Sequence, residues 1–284
     1  MEAINHSLHF NIGSFKCSVI RDTISPMELE FLFSNTPVDQ LQQLLNQYKI
    51  QPGKVMDVMC LFIRTPDHNI LIDTGWGVSS QPDTGKLVEN LQLQKIQPEE
   101  IDTIILSHGH PDHIGGITDV KSGLVFPKAR YFMCKKAWKY WTSEPDLTQI
   151  DKNIAHTMLT AARKNLVPIK NRLSLIDSDT EIIPGVEYIN APGHSPDHGV
   201  LVISSGNEHL LYSSDLFHHP LQLARPDLSM ALDLMPGQAI KMRTKMIRRV
   251  VAANMMVFAC HFPFPGIGHI ISKGDAFLWQ PINN

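Results

Sequence analysis

Ser107-His108-Gly109-His110-Pro111-Asp112-His113-Ile114-Gly115-Gly116 places three histidines and an aspartate within six residues. Just before it, Ile101-Asp102-Thr103-Ile104-Ile105-Leu106 is a β-branched, apolar run of strand length. Just after it, the glycine pair permits a tight backbone path. The cluster therefore stands where a strand leaves a sheet and enters a loop. Rigid strands commonly hold reactive side chains at such exits.

A lone histidine is usually a surface or core residue with satisfied hydrogen bonds. H-x-H-x-D-H reads differently, because crowding these groups together without a counter-ion is costly. Neutral imidazoles and a carboxylate suit Zn, Mn or Fe. Three later segments repeat the pattern of an apolar strand ending in a His or Asp. Val186–Asn190 leads to His194 and His198, Leu210–Ser214 leads to Asp215, and Met255–Cys260 leads to His261. Donors gathered from several strand ends are what a deep site on a sandwich edge requires. His198, His209, His219 and His269 match no ligand motif and read as ordinary histidines, though His198 is close enough in sequence to His194 to be a candidate for a place behind the ligands. Strand alternation is expected to turn Cys260 away from the side that His261 faces.

The 284 residues, 43% of them apolar, suffice for a full core. We expect one domain over 1–284. A net charge of −3 offers no track for a nucleic-acid backbone or an anionic membrane surface, and no apolar run approaches spanning length. Met1-Glu2-Ala3-Ile4-Asn5-His6 lacks the basic and apolar regions of a signal peptide. Cys17, Cys60, Cys134 and Cys260 form no C-x-x-C pair, so reduced, mostly buried thiols in a cytoplasmic protein are expected.

From the start of the chain, alternating runs flank Gly13-Ser14 as a hairpin. Residues 27–50 are helix-like and amphipathic, punctuated by Pro26 and Pro37, and form an insertion suited to a lid or a dimer contact. Val55–Arg64 and Ile70–Ile72 make a second hairpin that ends in Asp73-Thr74-Gly75. A helix within 86–100, a strand at Ala129–Cys134, helices at Lys135–Trp141 and Ile154–Leu166, and strands at Leu173–Ile176 and Val186–Asn190 follow.

The H-x-H-x-D-H motif is that of the metallo-β-lactamase superfamily, which the chain resembles along most of its length. The resemblance implies an α+β fold, an αβ/βα sandwich of two mixed sheets flanked by helices. It also implies two divalent metal ions per chain, with zinc first and Mn, Co or Fe as alternatives. His108, His110 and His194 would hold one ion, Asp112, His113 and His261 the other, and Asp215 would bridge them. Asp73 would orient the ligands from behind. Asp215 stands where zinc β-lactamases carry Cys, and His110 where di-iron flavoproteins carry Glu. The tail His261-Phe262-Pro263-Phe264-Pro265-Gly266-Ile267-Gly268 closely resembles that of the branch containing N-acyl homoserine lactone lactonases and organophosphate hydrolases. Many of those lactonases place Tyr where this chain has His218, and often Phe where it has Pro111. The implied activity is hydrolysis of a small lactone, N-acyl homoserine lactones first, through a hydroxide shared by the two metals. Asp112 and His218 are the candidate catalytic residues. The alternatives are an organophosphate triesterase or aryl esterase on the same scaffold and, from another class, a mononuclear iron sulfur dioxygenase. Related hydrolases are commonly dimeric, so a homodimer with 27–50 near its interface and the pocket mouth is expected.

Overall fold

The first hairpin forms around Gly13-Ser14, pairing β1 (Ser7–Ile12) with β2 (Phe15–Pro26) from Ile12 opposite Phe15 outward. This computed structural model describes residues 6–53, 55–78, 84–148, 150–177 and 179–282; residues 1–5, read above for a leader, lie outside them. The sheet grows in chain order through β3 (Val55–Arg64), β4 (Asn69–Ile72), β5 (Thr103–Leu106), β6 (Arg130–Cys134) and β7 (Leu173–Ile176). Pairing is antiparallel as far as β4 and parallel from β4 to β7. All four residues of β5 are buried, as expected of a strand covered on both faces.

The second sheet contains β8 (Thr180–Ile183), β9 (Val186–Asn190), β10 (Gly199–Ser205), β11 (Glu208–Tyr212), β12 (Met256–Phe258), β13 (Ile267–Lys273) and β14 (Ala276–Pro281). It is antiparallel except where β11 meets β12. The expected α+β sandwich of two mixed sheets is what forms. Its central core interleaves side chains of both sheets, among them Ile63, Ile72 and Ile105 from the first and Leu201, Ile203 and Phe258 from the second.

Helices α1 (Leu29–Leu32), α2 (Val38–Tyr48), α3 (Leu87–Leu93), α4 (Pro111–Ile114), α5 (Lys135–Thr142), α6 (Lys152–Leu166), α7 (Leu221–Ala224) and α8 (Pro236–Ala252) complete the described elements used below. Helix α8 packs Met246, Ile247 and Val250 against Val202, Leu211 and Val257 of the second sheet. Helix α6 begins two residues before its expected start, because the Asp151 carboxylate accepts from the Asn153 and Ile154 amides and caps it.

Region 27–50 folds as α1 and α2, divided before Pro37. It makes a small core of its own, in which Leu32, Phe33, Leu41 and Leu45 pack on Leu221, Leu228 and Met230. Leu32 and Phe33 are thus covered within the chain, while the neighbouring Phe31 is exposed, at 51%. The four cysteines are buried and unbridged. Among the described residues no helix is long and apolar enough to cross a membrane.

Candidate metal centre

Each sheet delivers several of its polar side chains at the same kind of place, the C-terminal end of an adjacent parallel strand pair, whereas His194 follows the antiparallel β9. In the first sheet the Asp73 amide donates to Ile105 O (3.0 Å) as β4 ends, and Asp73 turns into the left-handed region at φ +61°. Beside it, β5 releases Ser107 and His108. In the second sheet the Ser213 amide donates to Phe258 O (2.9 Å), Ser214 turns at φ +45°, and Asp215 and His261 follow their strands. Pro111 at the first position of α4 starts a single turn that brings Asp112 and His113 back toward His108 and His110. Gly109 admits the Trp141 indole, which lies 2.2 Å from where a Cβ would stand.

The seven donors form two groups that share Asp215. In the first group, His194 Nε2 and His108 Nε2 lie 3.1 and 3.8 Å from Asp215 Oδ2, and His110 Nδ1 is 2.9 Å from His194 Nε2. In the second, His113 Nε2 and His261 Nε2 lie 2.9 and 3.1 Å from Asp215 Oδ1, and Asp112 Oδ2 is 3.5 Å from both nitrogens. Each Asp215 oxygen therefore faces its own group. Burial, helped by neighbouring imidazoles, pushes His108 and His110 well below the usual histidine range, which leaves their lone pairs free. His108 Nε2 and His113 Nε2 are buried without a hydrogen bond. Such nitrogen and oxygen donors, buried and converging on two points, fit a pair of divalent cations.

The outer ring nitrogens are fixed from behind. Asp73 accepts from the Ser107 amide (2.8 Å), Ser107 Oγ (2.7 Å), His113 Nδ1 (2.8 Å) and Tyr212 Oη (2.7 Å). Ser107 Oγ in turn lies 3.1 Å from His108 Nδ1. Asp73 thus reaches one histidine in each group, directly and through Ser107, as orienting carboxylates do. His261 Nδ1 donates to Asp57 O (2.9 Å), and His194 Nδ1 to Asp233 Oδ1 (3.1 Å). Asp233 was not legible in the sequence, since it follows no strand and lies 39 residues from its partner.

Two sequence expectations change. His198, read as an ordinary histidine, stands behind a donor: its Nε2 accepts from the Asp215 amide (3.1 Å) while its Nδ1 donates to Ala191 O (2.9 Å). Cys260 does not turn away, because β12 ends at Phe258 and alternation stops there. Its thiol lies 4.0 Å from Asp215 Oδ1.

His218 lies beside the shared carboxylate. Its Nε2 is 3.2 Å from Asp215 Oδ2, its ring stacks on that of His261 at 5.3 Å, and its amide donates to Gln222 Oε1. Burial pushes its pKa down to about 4 although Asp215 works the other way. The donors open into a cavity of about 370 Å³ walled mainly by Met27, Phe31, Met56, Trp76, Ile154, Met158, Met230 and Leu232.

Residues 53–261 match the family model described as "Metallo-beta-lactamase superfamily". The chain belongs to that superfamily. Among curated members, an N-acyl homoserine lactonase of Bacillus sp is 26% identical over 178 residues, which is 55% of this chain and 62% of that one. A probable metallo-hydrolase of Mycobacterium tuberculosis is 24% identical over 181 residues, 56% of each chain. The chain thus spans about 62% of the length of the first lactonase it matches. Among solved metallo-β-lactamase folds, AidC is described as a dizinc quorum-quenching lactonase in complex with a product. It superposes with a TM-score of 0.87 at 27% identity, covering 98% of both chains. The hydrolase AbOPH superposes with a TM-score of 0.90 at 24% identity, over 100% of this chain and 99% of that one, and adds support for the fold.

Proposed function

We propose that the chain is a dinuclear metal-dependent hydrolase that opens lactones, with N-acyl homoserine lactones as its first substrates. The observation that carries this reading is the sharing of Asp215 between two donor groups at the floor of an apolar cavity. His108, His110 and His194 would hold one cation, Asp112, His113 and His261 the other, and Asp215 both. Bound there, the two ions, zinc first by donor type with Mn, Co or Fe as alternatives, would supply Lewis acidity and a solvent molecule of near-neutral pKa.

The chain's own residues then have distinct tasks. Asp112 is the one donor only partly buried and borders the cavity, so its carboxylate is placed to take up and release the proton that hydrolysis moves. His218 also borders the cavity, and as a neutral imidazole it can donate a hydrogen bond to the substrate's carbonyl or leaving oxygen. The apolar wall excludes water and has room for a lactone with an attached acyl chain. Phe31 and Met27 bring region 27–50 to the mouth of that cavity, which supports its reading as a lid in a single domain over 1–284. Phe31 and Val38, both more than half exposed on neighbouring helices, are the surface on which we place a homodimer contact. Four buried free thiols fit a cytoplasmic protein.

A triesterase or aryl esterase is the second reading. It is favoured by His218 in place of tyrosine and by Phe31 and Trp76 in the cavity wall, where an aromatic leaving group could pack. Two groups of four donors argue against a single iron. Metal analysis combined with a panel of homoserine lactones, aryl esters, a paraoxon-like triester and a β-lactam tests the proposal. About two metals per chain and preferred lactone turnover are expected. Triester turnover far above every lactone would reverse the order of the two readings.

A further inference from the structure

The Asp233 side chain is fully buried, and both of its oxygens are engaged. Oδ1 accepts from His194 Nδ1 (3.1 Å). Oδ2 accepts from Ser229 Oγ (3.0 Å), the Met230 amide (3.1 Å) and Arg243 Nη2 (3.4 Å). Arg243, also fully buried, donates through Nε to Leu216 O (2.9 Å) and through Nη1 to Pro226 O and Leu228 O (2.8 Å each). Leu216 adjoins Asp215. Asp233 therefore holds one donor of the first group, His194, by its ring, while Arg243 separately holds the peptide that follows Asp215, the donor both groups share.

A buried ion pair adds little stability over apolar packing of the same volume. This one lies directly behind a donor histidine and is fully hydrogen-bonded. Asp73, by contrast, reaches a histidine in each group, His113 directly and His108 through Ser107, whereas Asp233 bonds to His194 alone of the donor histidines.

We propose that Asp233, held in place by Arg243, is a positioning residue for the first metal site alone. It keeps the His194 proton on Nδ1 so that the Nε2 lone pair faces Asp215, and it thereby sets the affinity of that site. This rests on the reading that the two groups bind two metal ions. A partner that orients a ligand histidine is typically worth about ten- to a hundred-fold in metal affinity.

The test is stepwise zinc binding by the full chain in competition with a chelator, run first on the wild type. Cobalt-loaded samples, read by their visible absorption, report each site's geometry. In Asp233→Ala one binding constant is expected to fall about ten- to a hundred-fold while the other stays within about threefold, with one cobalt band set altered. Asp233→Asn, which can still accept from Nδ1, should recover part of the loss. Both constants unchanged, or both falling together in a folded variant, would overturn the proposal. A wild type that takes up fewer than two ions would overturn the metal reading and this one with it. If Asp233→Ala does not fold, the wild-type zinc protein decides by NMR. The His194 ring proton should sit on Nδ1 and be protected from exchange, and a proton on Nε2, or rapid exchange, would refute the role.

Discussion

Asp73 and His113 meet across 40 residues of chain in a 2.8 Å hydrogen bond, and the aspartate makes it from a left-handed backbone at φ +61°. A non-glycine residue in that region persists only where its surroundings hold it. Here the surroundings are the donors that its carboxylate satisfies: one amide, two hydroxyls and one imidazole.

Asp73→Ala should therefore destabilise the protein even without metal. Leaving buried donors unsatisfied costs about 1–3 kcal/mol each, and partial relaxation should leave a net loss of about 3 kcal/mol or more. Urea unfolding of metal-free wild type and variant measures it. A loss below about 1 kcal/mol would mean that solvent has taken over the carboxylate's bonds.

Asp215→Ala should empty both sites rather than one, because each carboxylate oxygen faces a different group. Metal content should fall from about two per chain toward zero at micromolar free zinc, and activity with it. Retention of both ions and of turnover would show that the imidazoles and Asp112 suffice.

His218→Ala should lower kcat by roughly ten- to a thousand-fold while metal content is unchanged. His218→Gln keeps a hydrogen-bond donor but cannot carry a proton, so its kcat separates donation from proton transfer. Near-normal kcat for the alanine variant at several pH values would remove His218 from the chemistry.

The apolar wall predicts chain-length dependence. Each methylene buried is worth about 0.8 kcal/mol, so kcat/KM should rise roughly fourfold per added CH₂ until the acyl chain outgrows the cavity. Phe31→Ala should flatten the rise. A flat series in the wild type would mean that the acyl chain lies outside the cavity.

Light scattering at micromolar concentration should give twice the chain mass of 31.9 kDa if Phe31 and Val38 lie in a homodimer contact. A monomer would remove that contact and leave both side chains to the cavity mouth and solvent.

The first sheet's strands were legible from alternation and β-branched runs, but β8, β10, β13 and β14 of the second sheet went unread. The seven donors came from the crowded H-x-H-x-D-H stretch and its family resemblance, and they meet here as two groups. Asp233 was hidden, since residues 225–235 contain no strand and their role is set by tertiary contact with His194. Helix α8 hides its own periodicity, because its buried face carries Arg243 among Ala239, Met246, Ile247 and Val250. Cys260 misled because alternation holds only while the strand lasts, and β12 has three residues. Region 27–50 suggested a lid or a dimer contact, yet much of its apolar face, Leu32 and Phe33 included, finds cover in residues distant in sequence.

The two sheets are already buttoned together beneath the donors. Tyr212 Oη reaches Asp73 (2.7 Å), Ser214 Oγ reaches Ser107 Oγ (2.9 Å), and Tyr188 Oη reaches Ser107 O (3.2 Å), each from the second sheet's half of the chain to the first's. None of these bonds involves a metal. They join the two halves by protein atoms alone, so the frame around the donors is expected to stand without an ion. A protein stripped by a chelator is then expected to refill without passing through the unfolded state, and the ion it carries to follow what its surroundings supply.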